Sequence, residues 1–196
     1  MTVLAHQEPI KYIEIRNFLD EPTLARWLAQ LERMPRDPGY VTDEQGRNSV
    51  NRMKRNENVW LMPPNDLGFE FRNLAWTREI KQARESMNDY LFLAHKLIDE
   101  GSFLYSVYSP GMYYDWHRDR TPYLTYNLVL ESAEEGGEFE FSLDDQEPYR
   151  TVEQVANTSN TLLIFPSFVK HRVRPVVRGQ RRTLQYFMNC SHVASM

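Results

Sequence analysis

Residues 161–189 read TLLIFPSFVKHRVRPVVRGQRRTLQYFMN. Thr161 to Phe165 is a short apolar run stopped by Pro166-Ser167, His171 to Val177 is a second run, and Arg181 to Asn189 is a third that follows the Arg178-Gly179-Gln180 turn. Runs this short, rich in β-branched and aromatic residues and bounded by Pro, Gly and Ser, predict strands. The same texture extends upstream, where Tyr105 to Tyr108, Tyr123 to Leu130 and Glu138 to Ser142 are further candidate strands. Glu131, Glu134 and Glu135 mark a solvated turn, and Gly136-Gly137 a bend that opens the next strand. The chain beyond Gly101 is therefore expected to be all β, closed into an antiparallel barrel or jelly roll.

Upstream of Gly101 the periodicity changes. Apolar residues alternate from Ile10 to Ile15, as in a strand. Asp20 is a candidate N-cap with Pro22 in the first turn, and Leu24, Trp27, Leu28 and Leu31 recur at helical spacing until Pro35 and Asp37-Pro38-Gly39. Thr42 to Asn51 is polar and predicts a loop, and Asn58 to Met62 predicts a strand ending at Pro63-Pro64. Asn65 or Asp66 then caps one long helix, whose stripe of Ala75, Trp76, Ile80, Ala83, Met87, Leu91, Ala94 and Ile98 runs to Gly101. The expected class is α+β, mainly β, with N-terminal helices supporting one face of the barrel.

Composition is that of an ordinary globular protein of 196 residues, 41% hydrophobic, 26% charged and 13% aromatic. A net charge of −4 opposes general attraction to nucleic acid or anionic membrane. Arg52, Lys54 and Arg55 form a local basic run, expected to be solvated loop charge, with a grip on an anionic substrate as the sharper alternative. Cys190 is the only cysteine, so neither an intrachain disulfide nor a thiolate cluster can form. The N-terminal MTVLAHQEPIKYIEI lacks a basic leader with an apolar run, no stretch has the apolar length to cross a bilayer, and a cytoplasmic setting is the expectation. Oligomeric state leaves no mark.

The chemistry concentrates in Tyr113-Tyr114-Asp115-Trp116-His117-Arg118-Asp119. His117 and Asp119 are two positions apart, and such residues project to one face of an extended chain. Antiparallel closure can bring a third ligand from a distant strand, and His171 is well placed for it. Two imidazoles and one carboxylate leave three positions open on Fe(II), as in non-haem oxygenases. A 2-oxo acid can fill two and dioxygen the third, and the far carboxylate of 2-oxoglutarate then needs a buried cation. Arg181 is preferred to Arg182 for this role, because Arg181, Thr183, Gln185 and Phe187 share one face and Arg182, Leu184, Tyr186 and Met188 the other. An isolated His-x-Asp pair is more often a surface hydrogen bond, so the assignment leans on His171 and Arg181 together.

The run Tyr108-Ser109-Pro110-Gly111-Met112-Tyr113-Tyr114-Asp115-Trp116-His117-Arg118-Asp119, the segment Glu135-Gly136-Gly137-Glu138-Phe139, and the segment His171 to Arg181 resemble the prolyl 4-hydroxylase branch of the Fe(II)/2-oxoglutarate dioxygenases. The resemblance covers Phe103 to Asn189 and implies a double-stranded β-helix (jelly roll). It implies one dioxygenase domain over 1–196, with 1–100 a helical support region and 101–190 the catalytic core. It also implies Fe(II) at His117, Asp119 and His171, 2-oxoglutarate held by Arg181, and Tyr108, Asn127 and Phe139 lining its pocket. Dioxygen is the oxidant and ascorbate a candidate reductant. In such enzymes 2-oxoglutarate is decarboxylated to succinate while a C–H bond is hydroxylated. Related halogenases replace the carboxylate ligand by a small residue, so Asp119 favours hydroxylation or desaturation. One departure is Val129, where several members carry a Tyr against the co-substrate carboxylate; Tyr108 and Tyr126 are the candidate substitutes.

The expected substrate is an unactivated C–H bond of a peptidyl or free amino acid such as proline. The alternatives are the same chemistry on a small metabolite, and a metal-containing barrel that binds without turnover. His6, His95 and His192 have no matching partners and are expected to be structural or solvated. Trp116 is assigned to packing. The loop from Thr42 to Arg55 and the segment Asp144 to Asn157 are expected to shape the barrel mouth.

Overall fold

The computed structural model describes residues 1–42, 48–50, 52–62, 65–87, 89, 92, 100–119, 123–155 and 157–189. The chain opens with β1 (Thr2–His6), β2 (Tyr12–Arg16) and α1 (Glu21–Glu32). Short strands β3 (Asp37–Pro38), β4 (Val41–Thr42), β5 (Asn48–Ser49) and β6 (Lys54–Arg55) precede β7 (Glu57–Trp60), α2 (Asp66–Ala75) and α3 (Arg78–Ser86). The β half comprises β8 (Glu100–Tyr108), β9 (Tyr113–His117), β10 (Leu124–Glu131), β11 (Glu135–Gly136), β12 (Phe139–Ser142) and β13 (Glu153–Val155). It ends with β14 (Thr161–Pro166), β15 (Lys170–Val173), β16 (Val176–Arg178) and β17 (Arg181–Asn189).

Eight strands form one sheet in the order β1-β2-β14-β10-β17-β8-β7-β3, and five form a second in the order β13-β12-β15-β9-β6. Each described pairing in these sheets is antiparallel. Tyr12, Tyr108, Leu163 and Phe165 from the larger sheet pack with Phe139, Phe141, Val155 and Val173 from the smaller. The two sheets thus close on each other as the jelly roll expected.

The other face of the large sheet carries the main core. Leu124, Tyr126 and Leu128 of β10, Leu162 and Ile164 of β14, and Leu184, Tyr186 and Met188 of β17 are buried there against Trp27, Leu31, Phe71 and Ile80 of the helices. Asp20 caps α1 by accepting from Thr23 N at 2.7 Å, and Asn65 caps α2 through Gly68 N at 3.0 Å. Trp27 Nε1 donates to Glu70 Oε2 at 3.0 Å, which fixes α1 against α2. Among the described residues no helix is long and apolar enough to cross a membrane.

Several expectations need correction. The single long helix is two, because Thr77 has extended backbone (φ −61, ψ 162) between Ala75 and Arg78. Threonine favours a cap over a helix interior, and the apolar stripe continues through Ile80 and Met87, so periodicity does not register the break. Leu91, Ala94 and Ile98 lie outside the described residues, as do His95 and His192. The predicted loop Thr42 to Asn51 begins in β4 and includes β5, and the two strands pair. The predicted strand His171 to Val177 is divided at Arg174-Pro175 into β15 and β16, which pair with different partners. β1 and β13 were not anticipated, and the residues before Gly101 supply strands to both sheets as well as helical support.

Gly101, expected as a helix stop, lies in β8 opposite Met188. A Cβ there would stand 1.9 Å from Tyr186 Cε2 and 3.0 Å from the Phe187 carbonyl oxygen. The Tyr186 ring is fully buried and stacked on Phe103 at 4.9 Å, so it cannot swing aside. Gly101→Ala is expected to destabilise the fold by about 1–3 kcal/mol through overpacking, read as a lowered urea midpoint.

Candidate metal and co-substrate site

The register of the small sheet makes His171 on β15 the direct cross-strand partner of His117 on β9. β9 ends at His117, and Asp119 lies just beyond it, held by a backbone bond from its N–H to the Ser167 carbonyl at 3.0 Å. One ligand atom from each of the three residues lies within 4.8 Å of the others. His117 Nε2 is 3.9 Å from Asp119 Oδ1, and His171 Nε2 is 3.7 Å from Asp119 Oδ2.

Both imidazoles are oriented from behind. The Nδ1 atoms of His117 and His171 lie 2.8 Å from the carbonyls of Asp115 and Val169 respectively. A carbonyl only accepts, so each Nδ1 carries a hydrogen and each Nε2 is the ring nitrogen turned toward Asp119. Burial, with the neighbouring His171, holds His117 well below its ordinary value and keeps it neutral. Asp119 Oδ2 accepts from Thr125 Oγ1 at 3.0 Å, and that hydroxyl is 2.9 Å from Ser167 Oγ. Tyr114 stacks on His117 with ring centroids 3.4 Å apart, and Phe139 lies 5.4 Å from His171.

Arg181 enters from the large sheet. Its strand pairs Arg181 with Tyr108 and Thr183 with Ser106 on one side, and Thr183 with Val129 and Gln185 with Asn127 on the other. Cross-strand partners share a face, so Arg181, Tyr108, Asn127 and Val129 line the barrel interior. Arg181 is completely buried, and burial pulls its guanidinium down to about 10 against the favourable pull of Tyr108 and Glu138. Its Nη1 donates to Asn157 Oδ1, while Nε and Nη2 have no partner among the described residues. Asn127 Oδ1 and Thr161 Oγ1 are likewise buried and unpartnered. Burial pushes the Tyr108 hydroxyl up to about 12 despite Arg181 beside it.

Arg182 points the other way and pairs with Glu32 and Glu131, both at 3.1 Å. Tyr126 also lies on the outer face, in the helix-backed core, so it cannot replace the family tyrosine at Val129; Tyr108 is on the correct face. Trp116 packs outside the small sheet, under Arg172 at 4.4 Å. His6 stacks on Tyr12 at 4.1 Å.

Sequence reasoning missed Thr125, Ser167, Asn157 and Tyr114. Thr125 was within reach of it, since it shares the inward alternation of Asn127. Asn157 and Ser167 lie in connections whose path no periodicity reports. Arg52 and Arg55 are exposed as expected, but Lys54 is buried. Burial pulls its ammonium down to about 8, with Asp119 pulling the other way.

Residues 103–189 match the family model of the 2OG-Fe(II) oxygenase superfamily. That stretch is thus a 2OG-Fe(II) oxygenase domain, the part of the chain that makes the protein an enzyme using Fe(II), 2-oxoglutarate and dioxygen. Within the class its fold is like that of the prolyl hydroxylases. A Pseudomonas putida prolyl-4-hydroxylase is similar at 21% identity and a TM-score of 0.68, covering 92% of this chain and 94% of that one. A Trichoplax adhaerens prolyl hydroxylase, solved with a peptide of the hypoxia inducible factor oxygen degradation domain, is similar at 16% identity and a TM-score of 0.61, covering 91% and 79%. A non-heme alpha ketoglutarate dependent carbocyclase from nogalamycin biosynthesis is similar at 16% identity and a TM-score of 0.61, covering 90% and 79%. Comparison with curated proteins finds no match.

The Thr125 hydroxyl steadies Asp119, one of the three residues that could hold a metal. Thr125→Val is expected to weaken divalent-metal binding by roughly 10- to 100-fold, measured by calorimetric titration with Mn(II).

Proposed function

We propose that His117, Asp119 and His171 hold Fe(II), that Arg181 binds the far carboxylate of 2-oxoglutarate, and that Tyr108, Asn127 and Phe139 line the co-substrate pocket. The reaction is hydroxylation of an unactivated C–H bond in an amino acid, free or peptidyl, such as proline, with release of succinate and CO2. Residues 1–196 act as one dioxygenase domain, and a cytoplasmic setting fits the single cysteine.

The observation that carries this reading is the buried Arg181, whose Nε and Nη2 lack partners among the described residues. A dry, uncompensated guanidinium is costly, and a carboxylate accepting two parallel bonds from it would offset that cost. Asn127 and Thr161 leave further polar atoms unpartnered, and Phe139 bridges the inner apolar cluster to His171. The donor set fits the metal as well: two imidazoles aimed by backbone carbonyls, and one carboxylate aimed by Thr125.

Iron bound here supplies dioxygen activation and the oxidising power for C–H cleavage, chemistry that belongs to the cofactor. The chain's own contribution is orientation and dryness. Asp115 and Val169 hold the tautomer of each histidine through Nδ1, Thr125 and Ser167 fix Asp119, and Arg181 aligns the co-substrate. Phe139, Phe165 and Tyr114 exclude water around the imidazoles.

His117→Ala and Asp119→Ala are each expected to abolish succinate release from 2-oxoglutarate in the presence of Fe(II) and ascorbate, and turnover unaffected by either change refutes the site. Arg181→Ala is expected to raise the 2-oxoglutarate KM by roughly 10- to 100-fold, the worth of charge-assisted hydrogen bonds. Arg182→Ala should leave that KM near wild type; equal effects would mean that the co-substrate is not held from the inner face. Mass spectrometry of free proline and proline peptides for a gain of one oxygen tests the substrate.

A further inference from the structure

Lys54 is a second buried cation at this site, and the co-substrate pocket has no use for it. Its side chain comes from β6, at the edge of the small sheet, where its backbone pairs with Tyr114. It is only 7% exposed. Its Nζ lies 4.7 Å from the centroid of the Tyr114 ring, the ring that stacks on His117. One neutral acceptor is in reach, since turning the Asn58 amide places its Oδ1 3.2 Å from Nζ. No ion pair involving Lys54 forms among the described residues.

Arg181 lies on β17 beside Tyr108 of β8, in the large sheet, whereas Lys54 lies on β6 against Tyr114 of β9, in the small one. A single 2-oxoglutarate held between the metal and Arg181 leaves Lys54 without an anion. A buried ammonium without an ion pair is costly in a dry cavity, and a monoanionic partner offsets that cost.

We propose that Lys54 anchors a carboxylate of the primary substrate, which makes that substrate a small free carboxylic acid, free amino acids included, and not a residue inside a peptide. The inference rests on the assignment of His117, Asp119 and His171 as metal ligands, and it selects among the substrates open to that reading. The carboxylate sits one aromatic ring away from a metal ligand, so the carbon oxidised is only a few bonds from the charge. An interior peptide residue such as proline brings no anion to this position.

The test is calorimetric titration of the full chain loaded with Zn(II), which has no redox chemistry and permits no turnover, and with 2-oxoglutarate. The probes are the free protein amino acids and the primary amide of each. At least one free acid should bind, with its amide weaker by roughly 10- to 100-fold. Lys54→Met should erase that difference and leave 2-oxoglutarate affinity unchanged, and Lys54→Arg should retain a preference for the acid. The inference is overturned if no acid is preferred to its amide, if the preference survives in Lys54→Met, or if Lys54→Met weakens 2-oxoglutarate instead. Failure of the wild type to bind Zn(II) or 2-oxoglutarate sinks the underlying site assignment, a result separable from loss of substrate preference alone.

Discussion

The central strands of the large sheet are buried on both faces, and the molecule depends on keeping those faces chemically different. Outward residues of β10, β14 and β17 are apolar and meet the helices. Inward residues of β10 and β17 include Thr125, Asn127, Arg181 and Thr183, all buried. Because alternation along a strand has a period of two, a slip of one residue would push Arg181 into the helix-backed core and turn Leu184 and Tyr186 into the cavity. The hydrophobic effect acting on the outer face therefore fixes the register that delivers polar groups to the inner one. Helices α1 and α2 contribute to the site through this constraint.

Within the cavity, order is imposed by hydrogen bonds from groups that are not themselves ligands. Carbonyls of Asp115 and Val169 fix the imidazoles, and the Thr125 hydroxyl, itself paired with that of Ser167, fixes one carboxylate oxygen. These partners come from the loops and strand flanking the triad, so the same backbone that forms the jelly roll also aims the ligands. A triad left to side-chain rotamers alone would be looser by the conformational freedom of three residues. The two buried cations add a different kind of order: each is destabilising while unpaired, and each thereby favours a complementary anion.

Much of this was legible from the chain alone. The short apolar runs beyond Gly101 specified strands, and the alternation in Arg181 to Met188 specified which arginine turns inward, because both signals are local and repeat at the period of the backbone. That His117 and Asp119 come together was legible from spacing, and His171 and Arg181 were marked as candidates by the ordered blocks that contain them. The boundaries failed where a single residue matters: Thr77 interrupts a helix without disturbing the stripe, and Pro175 divides a run that reads as continuous.

Tertiary structure alone settled the remainder. That His117 pairs with His171, that Tyr126 faces the helices and cannot stand in at Val129, and that Asn157 reaches Arg181 all follow from which strands lie side by side. Lys54 is the sharpest case. In sequence it is the middle of a basic run that looks solvated, and only the pairing of β6 with β9 buries it against Tyr114. A sequence records the period of each segment, which determines secondary structure and facing; it does not record which distant segments become neighbours, and burial and charge are properties of those neighbours.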